Sequence, residues 1–92
     1  MKTYAIRRKT AWQDPDELGA TAELSKQIAA SDYPEEIRWI RSYVIDEPDG
    51  RLGTICIYEA SSPDAIRGHA EKVGMPADEI HDIAEVVVID AD

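Results

Sequence analysis

Ninety-two residues carry nineteen Asp and Glu against ten Lys and Arg, a formal charge of −9 at pH 7, with 43% hydrophobic content and one cysteine. A chain of this length, residues 1–92, is expected to make one small domain whose limited core leaves self-association as a further source of stability. The acidic balance opposes a phosphate backbone, a lone cysteine closes no internal disulfide, and no apolar run approaches the ~20 residues that span a bilayer. Without a leader-like start, the expectation is a cytoplasmic protein with neither nucleic acid nor membrane as partner.

Lys2 to Lys9 alternates, with Tyr4 and Ile6 on one side and Thr3, Ala5 and Arg7 on the other, and is predicted to be the first strand. Its Arg7-Arg8-Lys9 run is the one basic cluster, and alternation splits those side chains between the two faces. Asp14-Pro15-Asp16-Glu17 has the form of a helix start: a capping carboxylate, a proline at the first position and acids at the positive end of the dipole. The helix is predicted to reach about Ala30, with Ala20, Leu24 and Ile28 as its apolar line and Leu18, Ala22 and Ala29 widening it. Tyr33 precedes Pro34, which disfavours helix and ends it.

Ile37 to Val44 and Thr54 to Ala60 are rich in β-branched and aromatic residues, and the acidic Pro48-Asp49-Gly50 link between them reads as a hairpin. With Val44 opposite Gly53, Trp39 falls across from Tyr58, Arg41 from Cys56 and Tyr43 from Thr54, all on one face. The other face holds Ile40, Ser42, Val44, Ile55 and Ile57, and is expected to lie under the helices. Ser62-Pro63-Asp64 starts a second helix with Ile66, Ala70 and Val73 on one side, stopped by Gly74 and Pro76. The β-branched run through Val86-Val87-Val88-Ile89 predicts a last strand over roughly Ile80 to Ile89.

The order β-α-β-β-α-β predicts an α+β, ferredoxin-like fold: a four-stranded antiparallel sheet with two helices on one face, the first and third strands central. An open face carrying Trp39, Tyr43, Cys56 and Tyr58 is larger and more apolar than a monomer usually shows, so two sheets packed into a barrel-like homodimer are expected.

Trp39 to Val44, Cys56 to Ala60, His69-Ala70 and Gly74 to Asp78 together resemble a family of short bacterial proteins, a domain of unknown function also labelled nickel-binding protein. The resemblance covers nearly the whole chain and implies a dimeric ferredoxin-like fold with nickel or another divalent metal as ligand. In the family it resembles an acid often precedes the arginine of the first strand, where this chain has Arg7 before Arg8, and the hairpin turn here is longer and more acidic.

Under that reading His69, His81 and Cys56 are the candidate metal ligands, because imidazole and thiolate suit borderline divalent metals. Each also has a plainer reading: His69 as a packed core histidine, His81 as an exposed strand end, Cys56 as a small buried hydrophobe. No close cysteine or histidine pair of the structural-zinc kind accompanies them. Trp39, Arg41, Tyr43, Cys56 and Tyr58 are the candidate ligand-binding set, with Arg41 able to hold a carboxylate or phosphate, or to pair with an acid across a dimer. Glu59 is expected on the helical side as a cap. Three functions compete: a small metal-binding dimer, an oxygenase- or isomerase-like enzyme using a cavity between paired sheets, and a structural or regulatory dimer whose aromatic face is filled.

Overall fold

The computed structural model describes residues 1–90. Its elements follow the predicted order: β1 Lys2–Trp12, α1 Pro15–Asp32, β2 Ile37–Asp46, β3 Leu52–Ala60, α2 Pro63–Val73 and β4 Glu79–Asp82. All four strands pair antiparallel in the order β2-β3-β1-β4, so β1 and β3 are central and the chain is ferredoxin-like.

Local chemistry sets the ends of the helices. The Asp14 carboxylate accepts from the Glu17 amide at 2.8 Å, with Pro15 behind it. Ser62 does the same for Ala65 at 3.2 Å, and α2 ends where Gly74 turns left-handed at φ 84° with its amide on the Ala70 carbonyl. The predicted face of α2 is the buried one: Ile66, Ala70 and Val73 all pack inward. That of α1 is rotated. Leu24 is 41% exposed, and Ser25 is the buried residue, because its carbonyl and hydroxyl meet His69 of α2 at 3.0 and 3.4 Å. A polar pairing between helices, more than an apolar stripe, fixes how α1 turns.

The hairpin departs from the predicted register at one residue. Trp39 does pair with Tyr58, but the next pair is Arg41 with Ile57, so Ile40 is an extra residue in β2. Beyond it Ser42 faces Cys56, Tyr43 faces Ile55 and Val44 faces Thr54. A one-residue slip exchanges the faces of every later side chain, and the expected segregation is therefore corrected. Trp39, Cys56 and Tyr58 lie beneath the helices with Tyr4, Ile6, Ile37 and Ile66. Arg41 and Tyr43 keep the uncovered face, beside Ile55 and Ile57, which were expected in the core. Glu59 also faces away from the helices, and accepts from Arg38 at 2.7 Å in place of capping a helix. Each ring or aliphatic side chain fully buried in this layer contributes roughly 1.5–3 kcal/mol by area.

β1 runs past the predicted Lys9 to Trp12 through an irregularity at Thr10, φ 47°, which returns Trp12 to the covered side opposite Leu52. β4 is shorter than predicted. It pairs with β1 from Glu79 opposite Arg7 to Asp82 opposite Tyr4, and the Ile83 amide then reaches the Thr3 carbonyl. Among the described residues Val86 to Ile89 pair with no strand, and they stand exposed at 67% to 94%.

Candidate functional site

A cavity of about 160 Å³ lies between α1 and the covered face of the sheet. It exists because α1 turns Thr21, Ala22 and Ser25 toward it, side chains too short to reach the strands. Trp12, Trp39, Tyr58, Thr54 and Cys56 form the sheet side, and Met75 closes it from the segment after α2.

Arg8 also lines this space. It is wholly shielded from solvent, and its Nε, Nη1 and Nη2 have no hydrogen-bond partner. Its guanidinium carbon stands 5.7 Å from the centre of the Tyr58 ring. An arginine keeps its proton in proteins, and an unpaired ion in such a place costs several kcal/mol after relaxation. Beside it runs a chain of hydrogen bonds: Trp39 Nε1 donates to Ser42 Oγ at 2.8 Å, Ser42 Oγ to Cys56 Sγ at 3.0 Å, and Cys56 Sγ to Thr54 Oγ1 at 3.4 Å. Thr54 is the β3 partner of Arg8. Burial pushes the Tyr58 hydroxyl ionisation up; the Arg8 charge opposes it, and the Ser25 and Arg8 side chains near the hydroxyl, too far for a well-formed hydrogen bond, oppose it further. Burial lowers the pKa of His69, the Ser25 carbonyl opposing and the Arg8 charge adding to the fall.

On the other face Arg7 has a different environment. Its Nη2 meets both carboxylate oxygens of Glu47 at 2.9 and 3.1 Å, and its Nη1 meets the Arg8 carbonyl at 2.9 Å. The Thr10 amide adds a 2.7 Å bond to Glu47, and Arg7 first, then Thr10, hold that carboxyl below its usual range. Gly53 makes room for the clamp: a Cβ there would collide with Glu47 Oε2 and stand 2.5 Å from the Arg8 carbonyl. Nearby a shallow depression holds Ala5, Lys9, Glu79 and His81. Glu79 takes Lys9 Nζ on one oxygen at 2.9 Å and His81 Nε2 on the other at 2.9 Å, which brings its pKa down to about 2.

The predicted site residues are thus divided by the sheet. His69 is 1% exposed, with Nε2 on the Ser25 carbonyl and its ring edge-on to Tyr33 and Tyr58 at 5.9 and 6.2 Å. Cys56 is likewise buried on that side, while His81 stands on the opposite face. Among the described residues no group of three or more His, Cys, Asp and Glu is arranged to hold a metal ion. The described residues of one chain therefore offer an imidazole and a carboxylate, His81 and Glu79, and no complete coordination sphere. Arg41 does not share a site with Cys56: Arg41 pairs with Ile57 on the open face, Cys56 with Ser42 on the covered one. Sequence reasoning passed over Arg8 as part of a basic cluster. Its position in the Tyr4, Ile6, Arg8 alternation was the signal, since that puts a cation on the line that carries the core.

A family model described as "Nickel responsive protein SCO4226-like" matches residues 4–83. The fold is similar to the crystal structure of SCO4226 from Streptomyces coelicolor A3(2), at 20% identity and a TM-score of 0.70, covering 92% of this chain and 99% of that one. Comparison with curated proteins gave no match.

Proposed function

Since the chain belongs to the nickel-responsive SCO4226-like family, we propose that it is a small cytoplasmic binding protein for nickel or a similar divalent metal, acting as a homodimer. The observation that carries this reading is the His81–Glu79 pair on the face that the helices leave uncovered. The imidazole is exposed, and a carboxyl with a pKa of about 2 is ionised throughout the physiological range. Both groups are donors that a borderline divalent metal accepts.

Lys9 and Arg7 stand beside the pair and oppose a dication, so two donors of one chain make a weak site. A second copy laid against the open face would bring its own His81 and Glu79. It would also cover Tyr43, 52% exposed, and the half-buried Ile55 and Ile57. His69 and Cys56 remain under the helices and take no part in the metal in this reading.

Calorimetric titration of tag-free protein with nickel tests it. Saturable binding is expected, weakened about tenfold or more by His81→Ala and little changed by Cys56→Ser. Sedimentation is expected to show dimer, favoured further by nickel. An absence of saturable heat, or the same affinity after His81→Ala, removes the reading.

A further inference from the structure

Among the described residues that line the interior cavity, the fully buried side-chain polar atoms without a hydrogen-bond partner all belong to one cation. Arg8 brings Nε, Nη1 and Nη2, all buried and all unpartnered. The hydrogen-bond chain beside it runs from Trp39 through Ser42 and Cys56 to Thr54, each link giving its proton to the next. The last member, Thr54, keeps its own hydroxyl proton to give. Among the residues that line the cavity none is acidic, so the guanidinium has no counter-charge there.

We propose that this cavity is a binding site for a small monocarboxylic acid, with the carboxylate on Arg8 and the Thr54 hydroxyl and its apolar body between α1 and the sheet. A planar carboxylate matches the guanidinium fork with two parallel bonds. The rest of the wall selects the body: Trp12, Leu18, Ala22, Trp39, Val44 and Met75 present carbon. A bare chloride or phosphate would leave that apolar space unfilled. A dianion would bring one charge more than Arg8 can balance in a low-dielectric site. The size is bounded as well, since the cavity measures about 160 Å³ and a dry interior cavity of ~150 Å³ holds benzene. The acid that fits has a tail about as large as a benzene ring or a short alkyl chain. Val44 lines the space and is 54% exposed, so the cavity reaches the surface at that side.

This site lies on the opposite side of the sheet from His81 and Glu79 and does not depend on them. The chain has two tryptophans, Trp12 and Trp39, and both line the cavity, so intrinsic fluorescence reports on it directly. The probe is hexanoate, added to chelator-treated, full-length protein, with hexanol and inorganic phosphate as comparisons. Saturable change of the tryptophan emission is expected with hexanoate at millimolar concentration or below. Hexanol and phosphate are expected to bind at least ~10-fold more weakly.

Arg8→Met keeps the length of the side chain and removes the charge; it is expected to weaken hexanoate ~10-fold or more and leave hexanol unchanged. Arg8→Lys, a charge without the fork, is expected to fall between. Hexanoate should also raise the melting temperature of the wild type and not that of Arg8→Met. The proposal is overturned if hexanoate gives no saturable change, if hexanol binds as tightly, or if Arg8→Met binds hexanoate as the wild type does. Nickel binding measured on the same preparation is independent of every one of these outcomes.

Discussion

Arg7 and Arg8 are adjacent in β1 and point to opposite sides of the sheet, and their surroundings could hardly differ more. Arg7 is held by both oxygens of Glu47 at the hairpin, with glycine at position 53 leaving space for the clamp. Arg8 is more deeply buried and has no partner at any of its three nitrogens. The first is a structural ion pair that fastens the β2–β3 turn to β1. The second carries an electrostatic cost offset only by the face and hydroxyl of Tyr58, which is how a group left open to a ligand differs from one spent on the fold.

The contrast between the faces can be broken at several points. The largest effect is expected from core truncation: Ile6→Ala, on the covered face, should lower stability by about 2–5 kcal/mol in chemical denaturation. Ile57→Ala, half-buried on the open face, should cost clearly less in the isolated chain and show itself in the sedimentation equilibrium. Arg8→Met should go the other way and raise stability by about 1–4 kcal/mol in the absence of ligand, whereas Arg7→Met, which strands Glu47, should lower it. A loss of stability in Arg8→Met would mean that the contact with Tyr58 outweighs the cost of the buried charge.

A smaller effect is tied to pH. Burial depresses His69 below its ordinary 6.5. The unfolded chain therefore takes up a proton near pH 6.5 that the native state refuses, and stability falls as the pH drops through that value toward the lower native pKa. For a single proton the slope stays below about 1.4 kcal/mol per pH unit in that window. His69→Gln should flatten it, with the pH dependence of the denaturation midpoint as the measurement. The smallest change is expected from Glu79→Gln: its partners Lys9 and His81 are solvent-exposed, so the melting temperature should barely move while nickel affinity drops.

Much of this architecture could be read from the residues alone. The caps at Asp14 and Ser62, the prolines behind them and the stop at Gly74 act locally, and the structure uses each as expected. The faces of the hairpin could not be read so directly. Both sides of β3 carry apolar residues, Cys56 and Tyr58 against Ile55 and Ile57, so alternation alone does not say which side the helices cover. A single extra residue at Ile40 then carries Arg41 and Tyr43 to the side away from Cys56. The last strand differs for another reason: Val86 to Ile89 have the propensity, but pairing needs a neighbour, and the β1–β4 ladder ends at Tyr4 opposite Asp82. The cavity was hidden because it depends on the rotation of α1, set by Ser25 against His69 across a separation of forty-four residues.

The unpaired run Val86-Val87-Val88-Ile89 also has a colloidal consequence. Four β-branched residues exposed to water, with strand propensity, are adhesive toward the free edges that β2 and β4 present. What opposes association through this run is the charge of −9 on each chain, whose reach shrinks from roughly 30 Å in 0.01 M salt to about 3 Å in 1 M. Clouding and thickening on salting should therefore be a property of this polypeptide, relieved by chain shortening after Ala84 and indifferent to nickel.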